Sequence, residues 1–204
     1  MRSTFVRQTL AGLRLLLVLT VLTGVAYPAA VWSVAHLPGL AHRAEGSLVT
    51  HDGRPVGSEL IGTDPVDARA ATDPTRDRYF HTRPSASGDP ASTGGSNLAG
   101  DNPKLLAAVE QRKAAIAHRE RVEPQQVPPD AITASASGVD PQISVAHAQL
   151  QAPRVARTNG LPEQQVRTLV EEHTRDRAAG FLGEPTTTVL DLNTAVADAV
   201  HRGR

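Results

Sequence analysis

From Leu15 to Ala35 the chain carries no charged side chain, and this run of 21 residues decides what its first part can become. As a helix rising about 1.5 Å per residue it reaches about 31 Å, close to the hydrocarbon thickness of a bilayer. One membrane-spanning helix is the direct reading. Gly24 and Pro28 lie in its second half, Tyr27 and Trp32 stand where an aromatic belt meets the far interface, and Arg14 can snorkel back to the headgroups. A buried core helix would carry a polar face, and this stretch has none. A cleaved signal peptide shares the basic start and apolar middle but ends in an A-x-A-like site; Ala26, Ala29, Ala30 and Ala35 never fall two apart. Arg2, Arg7 and Arg14 precede the run without an acidic residue, and by the positive-inside rule they hold the N-terminus in the cytoplasm. The expected plan is a basic cytoplasmic segment over 1–14, a transmembrane helix over 15–35 and an extracytoplasmic domain over 36–204.

The formal net charge of +0 hides an asymmetry, since residues 1–44 hold four arginines and no acid, leaving 17 basic and 21 acidic groups beyond them. A balanced total argues against a nucleic-acid-binding surface, and the absence of cysteine excludes a disulfide framework and cysteine-ligated zinc or iron–sulfur sites. Of six aromatics, only Tyr79, Phe80 and Phe181 lie outside the first 32 residues, a supply so small that the domain is expected to lean on a partner.

Beyond the span the fold class expected is mixed α/β with few strands and long loops. Ser47–Thr50 and Pro55–Ile61 flank His51-Asp52-Gly53-Arg54, a hairpin signal. Gly62 to Pro103 is crowded with Gly, Pro, Asp, Ser and Thr and has no periodicity, which is the pattern of a functional or disordered loop. Asn102 and Pro103 open a helix with Leu105, Leu106, Val109 and Ile116 on one face, ending near Glu120. A stiff connector over 123–129 leads to a short strand at Ile132–Ala134. Ser144 caps a second helix that stops at Asn159-Gly160, with Pro153 marking a kink or restart, and Pro162 opens a third with Val166, Leu169 and Val170 on its face. Thr186–Leu192 alternates as one more strand before a short terminal helix from about Thr194.

Catalytic motifs are mostly absent. There is no G-x-S-x-G, no S-x-x-K and no H-E-x-x-H, and the eight histidines show no ligand spacing, so no metal site is expected. Ser137, Asp140 and His147 could be drawn as the triad of a membrane-anchored extracytoplasmic serine hydrolase, although a turn and a helix cap explain them far more simply. No P-loop and no D-K-T-G-T phosphorylation sequence occurs, so neither route to ATP hydrolysis is open. Gly94-Gly95-Ser96-Asn97 could form an anion-binding nest or only tight turns before the Asn102 cap. Arg78 to Ala86 sets the aromatic pair Tyr79-Phe80 beside His81 and Arg83, which suits rings packed into the body with Arg83 fixing a neighbouring loop. Gln151, Arg154 and Arg157 recur at helical spacing as one polar stripe.

Six ordered blocks, Gly57-Ser58-Glu59-Leu60-Ile61-Gly62, Tyr79 to Ala86, Gly94 to Leu98 with Asn102-Pro103, Thr133 to Pro141, Pro153-Arg154-Val155-Ala156, and Gly183-Glu184-Pro185 through Val189 to Asn193, closely resemble the C subunit of the bacterial Kdp potassium-transporting ATPase. The resemblance runs over nearly the whole chain. It implies a non-catalytic accessory subunit of a high-affinity, ATP-driven potassium uptake complex in the cell membrane. Its implied partners are a channel-like potassium-binding subunit, an ATP-hydrolysing P-type subunit and membrane lipid. ATP and K+ are handled by the complex, with no cofactor bound by this chain alone. It also implies a role in assembly and in raising the pump chain's ATP affinity, with Gln151 matching a glutamine proposed to contact nucleotide. Tyr79, Phe80, His81, Arg83, Gly94, Gly95, Ser96, Asn97 and Arg154 are the implied structural or partner-contact residues. The arginine asymmetry sends Gln151 away from cytoplasmic ATP, so the expected influence on ATP affinity is indirect, with the domain covering the external potassium entrance.

Overall fold

Fifteen prolines and a long unpunctuated apolar start divide this chain in two, and the computed structural model, which describes residues 2–87, 89 and 91–203, follows that division. Its units are Met1–Leu48 and Val49–Arg204. In the first, helix α1 (Arg2–Val21) continues through a π-helical turn at Leu22–Ala26 into helix α2 (Tyr27–Ala35). The widened turn has a local cause. Pro28 has no N–H for the Gly24 carbonyl, and the Tyr27 N–H donates to the carbonyl of Leu22 rather than to that of Thr23, one residue closer. From Ser3 to Ala35 this makes one apolar helix of 33 residues, long enough to cross a membrane. Its large apolar side chains are uncovered, unlike those of a soluble core helix. A short helix α3 (Ala41–Ala44) follows.

Strands β1 (Leu48–His51) and β2 (Arg54–Ser58) form the expected hairpin. Asp52 and Gly53 both take positive φ, 50° and 73°, the backbone that matches strand twist in a two-residue turn. The described residues of 62–102 hold no helix or strand beyond 3-10 turns at Ala68–Ala71 and Pro74–Arg76. Helix α4 (Pro103–Glu120) begins as expected, with the Asn102 side chain accepting from the Lys104 N–H. Its covered face is largely the expected one, with Ile116 buried and Leu105 and Val109 half-buried, but Leu106 is exposed and Ala117 and Glu120 are buried instead. No strand forms at Ile132–Ala134: Ile132 ends helix α5 (Pro129–Ile132), because Pro128 and Pro129 fix the φ values of a helix start, and Thr133 and Ala134 follow it as irregular backbone.

Strand β3 (Gln142–Ser144) leads into helix α6 (Val145–Asn159), whose cap is Ser144 Oγ accepting from the His147 N–H. Pro153 sits inside α6 without dividing it. Helix α7 (Glu163–Glu172), strand β4 (Thr174–Arg175), strand β5 (Thr186–Thr188) and helix α8 (Val189–Arg202) complete the chain. The last strand is shorter than the expected Thr186–Leu192. Val189, Leu192, Val196 and Ala199 fall on one helical face, and that burial overrides the β-propensity of the threonine run. The antiparallel sheet has the order β3-β5-β4, with Ile143 opposite Thr187 and Thr174 opposite Thr187 on the other side. Helix α6 supplies Ala148, Ala152, Val155 and Ala156 to the main core, which Phe80, Ile143, Val166, Val170 and Leu192 complete. A smaller cluster of Ile116, Ala117, Val127 and Ala131 joins α4 to α5.

Candidate functional site

The segment from Asp77 to His81 has no strand partner, yet Asp77, Phe80 and His81 are buried, so its backbone must find hydrogen bonds elsewhere. They come from side chains. Gln151, with no exposed surface, accepts the His81 N–H on Oε1 at 2.8 Å and donates from Nε2 to the His81 carbonyl at 3.2 Å. Asn193 on α8 repeats the pattern one residue earlier, accepting the Phe80 N–H at 2.7 Å and donating to the Phe80 carbonyl at 3.0 Å. Arg154 Nη1 donates to the carbonyls of Asp77 at 2.6 Å and Tyr79 at 3.0 Å, while Asn159 Nδ2 reaches the carbonyl of Arg78 at 2.9 Å. Every carbonyl from Asp77 to His81 therefore receives a side-chain donor from α6 or α8. These two helices substitute for a neighbouring strand.

The same arginine is tied further inward. Arg154 Nε meets Glu120 Oε2 at 2.9 Å and Nη2 meets Gln151 Oε1 at 3.1 Å, and both partners of the Arg154–Glu120 pair are fully buried. Burial lowers the Arg154 pKa and Glu120 works against that fall, leaving a guanidinium that stays protonated. His81 points Nδ1 at Asp64 Oδ1, 2.9 Å away, and Nε2 toward Asp77 Oδ2 at 3.5 Å without a hydrogen bond. Burial pushes the His81 pKa down, and the hydrogen bond to Asp64 only partly offsets this. For Asp64, burial raises the pKa, but the His81 hydrogen bond and charge and the Thr82 N–H outweigh it and hold the carboxyl below its usual range. The pair is a neutral imidazole donating to a carboxylate.

Around this centre the loop at 133–141 gathers the remaining blocks. Arg83 Nη1 pairs with Asp140 Oδ2 at 3.0 Å and Nη2 donates to the Thr133 carbonyl at 3.4 Å, the loop-fixing role expected of it. The Ser135 N–H donates to the Pro84 carbonyl, the Gly94 N–H to Ser137, and the Gly62 N–H to Val139. Gly62 lies so close that a Cβ there would stand 2.3 Å from the Asp140 carbonyl oxygen. A cleft of about 280 Å³ remains between Gly62, Asp64, Thr82, Arg83, Ser85 and Gly138. Gly94, Gly95, Ser96 and Asn97 line a second, of about 540 Å³, with Arg112. The Gly94 N–H is already committed to Ser137, which removes one donor from the anion nest considered above.

Ser137, Asp140 and His147 do not assemble as a triad. Asp140 is held by Arg83, Ser137 Oγ bonds Ser135 Oγ and the Val139 N–H, and the ring of His147 is buried with its nearest carboxylate, Asp130, at 3.6 Å. Among the described residues no group of three or more His, Asp or Glu could hold a metal ion. Of the Gln151, Arg154, Arg157 stripe, the first two turn inward and only Arg157 faces solvent. The Gln151 amide is engaged within the chain on both its atoms, Oε1 by the His81 N–H and Arg154, and Nε2 by the His81 carbonyl. Asn193, Glu120, Asp64 and Asp77 carry much of the network and were not singled out for it. One signal was available for α6: Gln151 falls between Ala148 and Val155 on the apolar stripe, where a polar residue needs an internal partner.

Comparison with known proteins follows the same extent. The KdpC family, described as K+-transporting ATPase, c chain, matches residues 9–198. A protein of Kineococcus radiotolerans named potassium-transporting ATPase KdpC subunit is 47% identical over 200 residues, covering 97% of this chain and 96% of that one. Proteins of the same name from Mycobacterium tuberculosis and Methylibium petroleiphilum are 45% and 48% identical, over 93% and 90% of this chain and 97% and 93% of their own lengths. The match takes in the apolar helix, the loop at 133–141 and both helices that grip Asp77 to His81, and the chain belongs to the KdpC family, the c chain of K+-transporting ATPases.

Proposed function

We propose that this chain is a non-catalytic accessory subunit of an ATP-driven potassium uptake complex, anchored once in the cell membrane with residues 36–204 outside the cytoplasm. It docks on a channel-like potassium-binding subunit, covers the external potassium entrance and stabilises assembly with an ATP-hydrolysing P-type subunit. The observation that carries this reading is the joining of one membrane-length helix to a body whose buried Gln151 and Arg154 are spent on its own backbone. Gln151 acts here as a clamp on His81. Its effect on the complex's ATP affinity is a shift of conformational equilibrium, with no contact to nucleotide.

The test is purification from membranes. The full chain is expected to copurify with two larger membrane proteins and to show no ester or peptide turnover that Ser137→Ala removes. Protease added from the external side of the membrane is expected to cut within 62–103. Cutting only from the cytoplasmic side would overturn the topology, and a chain purified without partners would overturn the subunit reading.

A further inference from the structure

Beside the segment gripped by α6 and α8 lies a cleft of about 210 Å³, lined by Arg78 and Tyr79 from that segment and by Val196, Val200 and His201 from α8. Arg78 and Tyr79 are fixed before anything enters it. Asn159 holds the Arg78 carbonyl at 2.9 Å, Arg154 holds that of Tyr79 at 3.0 Å, and the Tyr79 N–H donates to Asp77 Oδ1 at 3.0 Å. The Arg78 guanidinium lies 4.9 Å from the Tyr79 ring centroid, and its Nη2 donates to the phenol oxygen at 2.7 Å. That bond uses the oxygen as an acceptor and leaves the Tyr79 hydroxyl proton to donate. Among the described residues this proton, Arg78 Nη1 and the exposed imidazole of His201 have no acceptor. Three donors and an apolar lining therefore share one cleft.

The rim is short of negative charge. Asp67 takes two bonds from Arg69, at 3.0 and 2.9 Å, and meets Arg78 Nε at 3.2 Å, so one carboxylate serves two guanidiniums. The neighbouring carboxylates are committed elsewhere: Asp77 is buried and accepts the N–H groups of Asp67 and Tyr79, and Asp198 of α8 stands 3.5 Å from His51. We infer that the cleft receives a carboxylate side chain from the external rim of the channel-like potassium-binding subunit. This rests on the subunit reading above and names the contact. Rings of Asp or Glu line cation pathways, so the potassium entrance is where a partner carboxylate stands outside the membrane, while the ATP-hydrolysing subunit does its chemistry in the cytoplasm. A guanidinium already held in place, with phenol and imidazole donors beside it, takes a carboxylate at little ordering cost.

A zero-length cross-link tests this in membranes that hold the whole complex. Lys104 and Lys113 are the chain's only lysines, so Arg78→Lys combined with Lys104→Arg and Lys113→Arg leaves a single lysine side chain, at position 78. A carbodiimide activates a carboxyl group, the introduced amine attacks its carbonyl carbon, and an amide forms as the urea leaves. Mass analysis is expected to find peptides containing residue 78 joined to an Asp or Glu of the channel-like subunit. Arg78→Glu in the full chain is expected to lower recovery of that subunit about tenfold or more, with Arg78→Lys keeping most of it and the circular dichroism of the purified chain unchanged. Residue 78 joined only to Asp67 or another site of this chain, to lipid or to the ATP-hydrolysing subunit, no adduct at all, or full recovery with Arg78→Glu would each overturn the assignment. If the unaltered chain itself fails to copurify with larger subunits, the subunit reading falls instead.

Discussion

Arg154 concentrates the chemistry of the body in one side chain. Its loss in Arg154→Ala leaves Glu120 buried with Arg119 as its remaining partner and removes donors from the carbonyls of Asp77 and Tyr79. Removing one member of a buried ion pair costs about 3–5 kcal/mol. Urea unfolding of the detergent-solubilised chain is expected to register a loss of that order, and a loss below about 1 kcal/mol would mean the network is dispensable. His81 makes a different prediction. Its folded pKa lies below the ordinary 6.5, so below that pH the unfolded chain binds a proton that the folded chain refuses. Its contribution to stability is full above pH 6.5 and declines as pH falls toward the depressed folded value. Asp64, held below 3.8, acts with the same sign further down. His81→Asn keeps a donor in reach of Asp64 without titrating in this range. The unfolding midpoint of that variant should be flatter than the wild type's just below pH 6.5, and parallel curves would contradict the assignment.

The elements that could be read from the residues are those whose own pattern suffices. Helix α4 has the Asn102 cap and Pro103, α7 has Val166, Leu169 and Val170 on one face, and the β1–β2 hairpin has Asp52-Gly53 at its turn. What could not be read depends on distant partners. Strands β3 and β4 are three and two residues long, too short for alternation to register, and exist because both pair with β5. The spacing of Gln151 and Arg154 shows only a polar stripe, because the segment they hold, Asp77 to His81, has no periodicity of its own. The same dependence gives a prediction for the loop at 133–141. In Gly62→Ala the new Cβ meets Asp140 backbone at 2.3 Å, whereas in Gly57→Ala it meets only the end of Leu190 at 3.0 Å. A flexible side chain can move aside and a hydrogen-bonded loop cannot. We expect Gly62→Ala to lose about 1–3 kcal/mol and Gly57→Ala less, by urea unfolding; equal losses would mean the loop yields freely.

For the molecule as a whole the open question is whether the apolar helix only tethers the body or also recognises its partners. A tether needs length and hydrophobicity alone. This helix has more: it widens at Leu22–Ala26, and beyond that turn Tyr27, Ala30, Val31, Val34 and Ala35 line a shallow groove along it. In lipid, where burial of apolar surface gives helices no net attraction, association depends on such shape and on small residues that allow close approach. Replacing Leu15 to Ala35 with an unrelated apolar helix of equal length keeps the anchor and removes the shape. The chain is then expected in the membrane fraction, with its body's circular dichroism unchanged, but no longer copurifying with the larger subunits. Cells carrying it should lose potassium uptake at low external concentration. Uptake equal to wild type would mean that any greasy helix serves, and that recognition resides wholly in the body.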